Sequence, residues 1–216
     1  MPNWCENRLV VRGDPRRVEE FDRAFKGRPA PWPLAGYEKH GKTAEEVAEL
    51  EAKRQQEWAE QEPVYCFNAL YPVPEEVLRV GYSVPYDGGS LDERLHDLFD
   101  PQKWRDGYSW CVSHWGTKWD VDGDVVKIGA GVDAGEGYVE YGFDTAWSPP
   151  CPWLERVAGN WPDLKFELVY YEGGVGFAGR LVFEGGRIVE DCYVEGDALR
   201  AFVLANLGFD PHKGDE

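Results

Sequence analysis

Long apolar runs are missing from this sequence. None nears the roughly 18 residues that a membrane-spanning helix requires, and the opening, Met1-Pro2-Asn3-Trp4, has neither the basic segment nor the apolar core of a secretion signal. The two absences predict a soluble, unexported, cytoplasmic protein with no membrane partner. Paired cysteines are missing too: Cys5, Cys66, Cys111, Cys151 and Cys192 are odd in number and widely scattered. That pattern excludes a dense secreted disulfide framework and predicts free thiols in a reducing compartment. Positive charge is scarce, with 23 lysines and arginines against 40 acidic residues and a net charge of -17. A broad phosphate-tracking surface is thereby excluded, and direct nucleic-acid binding is not expected. The acid excess could imitate a nucleic-acid backbone on a basic host protein, but keeping the protein soluble is the simpler account.

What is present suits one folded unit: 216 residues, 43% hydrophobic and 14% aromatic. Cys5 to Val11 alternates as a strand. Asp14 and Pro15 then open a helix with Val18, Phe21 and Phe25 inward, which Gly27 stops. Pro29, Pro31 and Pro33 impose an extended loop containing Trp32. Thr43 and Glu46 form a capping box for a charged helix running to about Glu62 with a thin apolar stripe of Val47, Leu50 and Trp58. Residues 28–63 therefore read as a peripheral insertion. Tyr65 to Leu70 reads as a short strand, followed by a helical turn near Glu75 to Leu78. Ser90 and Glu93 cap a helix with Leu91, Leu95, Leu98 and Phe99 on its apolar face.

Val125 to Ile128 and Tyr138 to Thr145 read as a hairpin, and Ser148-Pro149-Pro150 introduces a helix carrying Leu154, Val157, Ala158 and Trp161. Strands over Lys165–Tyr171, Gly176–Phe183 and Arg187–Tyr193 follow, the last two joined by Gly185-Gly186. Asp197 caps a final helix, and residues 210–216 read as a disordered tail. The order predicts a single α+β domain over residues 1–209: a ferredoxin-like split βαβ sandwich, an antiparallel sheet with helices packed on one face, extended by a C-terminal hairpin and helix. Phe67-Asn68-Ala69 and Phe143-Asp144-Thr145, each followed by prolines, echo one another as strands leaving into proline-started helices.

The chemistry concentrates between Trp110 and Asp120, where three of the ten tryptophans lie with His114, Lys118 and Asp120. Indoles with interleaved polar groups can wall a binding cleft or cap a core. Cys111 and His114 have the spacing of half a zinc site, but His40, His96 and His212 supply no second half. As a nucleophile pair, Cys111 and His114 lack an orienting third group, and packing is the simpler role. Asp120, Asp122 and Asp124 imitate the start of a calcium loop, yet Val125 holds the glycine position and Gly131 the closing glutamate position. An Asp-Gly hairpin turn explains them better. Gly129, Gly131 and Ala134 fit a dinucleotide fingerprint, but Gly135-Glu136-Gly137 follows where a helix must start. No metal and no cofactor is expected.

Met1-Pro2-Asn3-Trp4-Cys5-Glu6-Asn7, Ala69-Leu70-Tyr71-Pro72-Val73-Pro74, Trp115 to Asp120 and Phe143-Asp144-Thr145-Ala146-Trp147-Ser148-Pro149-Pro150 stand in order along the chain. With Tyr171-Glu172, Phe177 and Gly179 they span roughly residues 1 to 184. Together these blocks resemble the YubB ferredoxin-like family carried by phages and conjugative plasmids. The resemblance implies a ferredoxin-like core and a mobile-element origin, and it implies no activity. His114 stands where the pattern commonly has asparagine, which speaks against histidine chemistry.

The remaining constellation is Trp115, Lys118, Trp119, Asp120, Trp147 and Glu172. A lysine beside indoles could hold a phosphate or carboxylate while a flat group stacks on the rings. Alternatively, Lys118 pairs with Asp120 or Glu172 and the tryptophans cover the core. The leading expectation is a mobile-element accessory protein acting as a binding module, without catalysis, for a small molecule such as a nucleotide or for a host protein segment. An acidic nucleic-acid mimic is one alternative. A metal-independent hydrolase or transferase using Lys118, Asp120 and Glu172 is the other. Oligomeric state is not encoded legibly.

Overall fold

The computed structural model describes residues 3–84, 90–121 and 124–211. Asp122 and Gly123, read above as a hairpin turn, lie outside the described residues, as do residues 212–216 of the tail and the side chain of Leu91. Asp210 is held by Arg200 at 2.6 Å, so that end of the tail is anchored.

Strand β1 (Trp4–Gly13) buries every second residue, placing Cys5, Asn7, Leu9 and Val11 on one face. Helix α1 (Pro15–Ala24) follows, its first turn capped by the Asp14 carboxylate, which accepts from the amides of Arg16 and Arg17 at 3.0 and 3.3 Å. A long excursion comes next. It holds β2 (Lys26–Gly27), α2 (Gly36–Lys39), α3 (Ala44–Glu60), β3 (Val64–Tyr65), α4 (Phe67–Leu70), α5 (Glu75–Val80), α6 (Leu91–Phe99) and α7 (Gly107–Trp115). The chain returns to the main sheet with the hairpin β4 (Val126–Asp133) and β5 (Glu136–Ala146), then α8 (Cys151–Asn160), β6 (Lys165–Glu172), β7 (Phe177–Glu184), β8 (Arg187–Glu195) and α9 (Leu199–Asn206).

The sheet order is β4-β5-β1-β6-β7-β8, antiparallel throughout. Within it, β1-α1-β4-β5-α8-β6 is the split βαβ arrangement, so the fold is ferredoxin-like. Its second strand is β4. The segment Tyr65 to Leu70, read as a strand, instead holds only the last residue of the two-residue β3, which pairs with β2, followed by α4. The echo between Phe67-Asn68-Ala69 and Phe143-Asp144-Thr145 therefore has no structural counterpart, since the first is helix and the second lies in β5.

One face of the sheet meets α1, α7 and α8 through an aromatic core. Phe25 lies 5.3 Å from Tyr141 and 5.4 Å from Trp153, ring to ring, and Phe67 lies 4.5 Å from Trp153. Helix α9 packs on the opposite face, where Leu199 and Val203 meet Ala178. The helices of the split βαβ core thus pack on one face, as expected, and the appended C-terminal helix α9 covers the other. The reason is that Ala178 and Tyr171 give that side of the sheet a second small apolar patch to cover. The apolar face expected of α6 is not buried, with Leu95 and Phe99 exposed.

Asp22 ties the excursion to the sheet. Its carboxylate accepts from the hydroxyls of Tyr65 and Tyr141, both at 2.8 Å, and from the Lys127 ammonium at 2.9 Å. Burial opposes its charge, but the ammonium and the two hydroxyls outweigh burial and lower its pKa below the ordinary value. A carboxylate depressed in the folded state contributes stability above its unfolded pKa of about 3.9 and loses it as pH falls through the folded value. Asp22→Asn is therefore expected to cost about 2 kcal/mol at pH 7, the scale of hydrogen bonds to a charged group. It should also flatten the loss of stability below pH 4. Urea melts from pH 7 to pH 3 check both; parallel curves for the two proteins would refute the assignment.

Candidate functional site

The unusual strings of the sequence meet at one end of the sheet. Helix α7 opens on Asp106, whose carboxylate accepts from the Ser109 amide at 2.9 Å, and it ends at Gly116 in the left-handed conformation, φ 81°. That glycine is required twice over, because a Cβ there would stand 2.6 Å from Pro152 Cδ. The chain then runs against the end of β5. The Thr117 hydroxyl donates to the Ala146 carbonyl at 3.1 Å and accepts from the Ala146 amide at 3.0 Å, and Ser148 Oγ donates to the Gly116 carbonyl at 2.5 Å. The N-terminal block joins them: the Trp147 amide donates to the Asn3 carbonyl at 2.9 Å, and Asn7 Nδ2 donates to Thr145 Oγ1, also at 2.9 Å.

Of the six residues singled out, three come together on the surface and three do not. Lys118 Nζ sits 3.0 Å from the centroid of the Trp147 ring and 5.5 Å from that of Trp119. Trp119 in turn meets Trp4 edge-on at 6.4 Å. Trp4, Trp119 and Trp147 remain 48%, 36% and 47% exposed. Burial against the indoles draws the Lys118 pKa below that of an ordinary lysine. Among the described residues no carboxylate pairs with its ammonium, so the expected pairing with Asp120 or Glu172 is not formed.

The other three serve the fold. Trp115 is fully buried, its indole N–H donating to the Tyr71 carbonyl at 3.0 Å. The Asp120 carboxylate accepts from the amides of Phe67, Asn68 and Val121 at 2.5, 3.0 and 2.8 Å, capping α4 from across the fold. Glu172, also fully buried, accepts from Gly174 and Val175 at 3.0 and 2.6 Å and closes the turn between β6 and β7. With both carboxylates spent on backbone amides of different segments, the Lys118-Asp120-Glu172 constellation of the hydrolase alternative is not assembled.

Cys111 is likewise structural. Burial, then the Asp120 and Asp106 carboxylates, pushes its thiol well above the usual range. His114 stacks on Trp110 with centroids 4.5 Å apart, and its Nδ1 lies 2.8 Å from Ser113 Oγ. Burial lowers its pKa, which leaves it neutral at pH 7. Among the described residues no group of three or more His, Cys, Asp or Glu side chains is placed to hold a metal ion, and no helix is long and apolar enough to cross a membrane.

Sequence reasoning missed two parts of this surface. Trp4 belongs to it through pairing of β1 with β5, which no local pattern reveals. Beside Trp4 lies a cleft of about 410 Å³ walled by Asp124, Val126, Ile128, Gly142, Phe143 and Asp144. Burial, then the charge of Asp124, raises the Asp144 pKa. A larger hollow of about 1090 Å³ lies between the proline loop and α3. Most of its charged groups are already paired, Arg54 with Glu38, Arg79 with Glu75, Glu51 with Lys39 and Glu57 with Lys53, while Glu60 accepts from the Gln56 side-chain amide at 2.8 Å.

Residues 114–202 match the family model described as the ferredoxin-like domain in Api92-like protein. The matched span excludes β1, the strand beside β5 and β6 in the middle of the sheet. Among solved structures, protein api92 from Yersinia pseudotuberculosis is similar with a TM-score of 0.50 and 13% identity, over 92% of this chain and 99% of that one. At that identity the likeness speaks to fold alone. No curated protein matches the chain.

Proposed function

We propose that this ferredoxin-like chain is a binding module without catalysis that docks a polypeptide segment of a partner protein on the surface formed by Trp4, Trp119 and Trp147. The carrying observation is that three indoles, roughly two-fifths to half exposed, share one surface rather than line an enclosed cavity. Indoles so presented are the commonest anchors of protein interfaces, whereas small-molecule sites enclose most of their ligand. Lys118, held against Trp147, adds a positioned donor at the rim. The resemblance of the sequence blocks to phage and plasmid proteins supports a mobile-element accessory role, with a host protein in the cytoplasm as the partner.

A peptide-display selection against the purified protein tests this reading. Binders are expected whose affinity falls at least about tenfold, some 1.4 kcal/mol, in Trp4→Ala and in Trp119→Ala. Both variants should keep the wild-type melting temperature to within a few degrees, because both side chains are exposed. A nucleotide panel followed by thermal shift is the counter-test. A shift that vanishes in Lys118→Ala, with no tryptophan-dependent peptide, would transfer the site to a small anionic ligand.

A further inference from the structure

The two outer strands of the sheet are finished differently. Strand β8 carries Arg187, Glu190, Asp191 and Glu195 along its length, the charged guard that natural edge strands use against unwanted pairing. Strand β4 is the other edge, and it reads Val126-Lys127-Ile128-Gly129-Ala130-Gly131-Val132-Asp133. Its lysine is drawn to the helix-covered side by Asp22. Ile128 lies over Gly142, where a Cβ would meet its Cδ1 at 2.9 Å. Val126 and Ile128 are 64% and 58% exposed. A bulge between Lys127 and Gly129 interrupts the pairing with β5, but Gly129 to Asp133 run in regular register. From Ile128 to Val132 the edge carries no charge.

At the start of this edge lies the cleft walled by Trp4, Asp124, Val126, Ile128 and Asp144. It combines an indole, two aliphatic side chains and two carboxylates, and among the described residues neither carboxylate has a cationic partner. Burial, and after it the charge of Asp124, raises the pKa of Asp144, and an entering cation relieves the like-charge part of that cost. The aliphatic stem of a lysine or arginine suits the apolar walls, and its head suits Trp4 and the acids. The whole chain, at -17, favours a basic partner and disfavours a second copy of itself.

We propose that β4 accepts an extended, basic segment of another protein as a seventh strand of the sheet, with a lysine or arginine of that segment seated in the cleft between Trp4, Asp124 and Asp144. Main-chain hydrogen bonds along the edge supply affinity and the cleft supplies specificity. This inference rests on the docking reading above and adds to it the partner's conformation and charge.

The probe is a labelled twelve-residue peptide alternating lysine with valine and threonine, followed by anisotropy and by indole fluorescence. Its companions replace lysine by glutamate, intersperse proline at equal charge, or carry backbone N-methyl groups on one or the other set of alternate residues. The basic peptide is expected to bind, the glutamate and proline peptides to fail, and one N-methyl register to lose at least tenfold while the other does not. Asp124→Asn with Asp144→Asn should cost tenfold or more, with circular dichroism confirming the fold. Equal binding of the two N-methyl registers, or of the proline peptide, would sink strand addition, while a persisting loss in Trp4→Ala would leave the docking reading standing. Peptide affinity indifferent to Trp4, Asp124 and Asp144 would remove both. A sedimenting dimer that the basic peptide dissociates would make a second copy the occupant and overturn the proposal.

Discussion

Asp120→Ala is expected to lower the free energy of unfolding by about 3 kcal/mol, the cost of leaving buried amides without an acceptor. Three backbone N–H groups, those of Phe67, Asn68 and Val121, end on this one carboxylate. Asp120 itself is buried, so water cannot replace it cheaply. Asp120→Asn keeps one acceptor oxygen and should fall between alanine and wild type. Urea denaturation followed by far-UV circular dichroism measures the difference, and hydrogen exchange at Phe67 and Asn68 localises it. If instead the alanine variant kept its stability and lost partner binding, Asp120 would belong to the docking surface and the capping role assigned to it would be wrong.

Trp115→Ala is expected to cost more, about 4 kcal/mol, within the range of large-to-small changes at buried aromatics. The indole is fully buried, lies 5.4 Å from Trp110 and 6.0 Å from Phe67, and its N–H ends on the Tyr71 carbonyl. Trp115→Phe keeps most of the apolar volume and loses the hydrogen bond, so a smaller cost of about 2 kcal/mol follows. The midpoint of urea unfolding should drop while the slope stays constant. The contrast with Trp119→Ala is the informative part. Four residues away in sequence, that substitution should spare stability and remove binding. Equal losses of stability in both variants would mean that the exposed indoles are part of the core after all.

Much of the fold is legible locally. Asp14-Pro15, the Thr43/Glu46 and Ser90/Glu93 capping boxes and the Gly185-Gly186 turn all form as their residue types dictate, because each device is complete within a few neighbouring residues. Helix α7 hid behind its own composition. Trp110, Cys111, Val112 and Trp115 are all buried, so no apolar stripe at helical spacing stands out, although Asp106 with Ser109 marks the cap. Helix α4 is four residues long and takes its cap from Asp120, 53 residues from Phe67, so nothing in its own sequence distinguishes it from a strand. The site was half legible for the same reason. Composition drew attention to the indoles and to Lys118, but which carboxylates face solvent and which hold backbone amides depends on partners far along the chain. Trp4 enters only through the register of β1 against β5.

That register carries a kinetic consequence. Asn7 and Phe143 lie 136 residues apart, yet they share a hydrogen bond in the middle of the sheet. During synthesis at about 5–20 residues per second, β1 and α1 wait roughly 6 to 27 seconds before β5 exists to pair with them. Until then Leu9, Val11, Phe21 and Phe25 have no sheet to cover them. Closing so large a loop precedes the reward of pairing, which makes slow, non-local folding the expectation for this chain. The same wait exposes an apolar strand to chaperones and to neighbouring nascent chains. The yield of folded protein should therefore respond to translation speed and to chaperone supply more sharply than its equilibrium stability suggests.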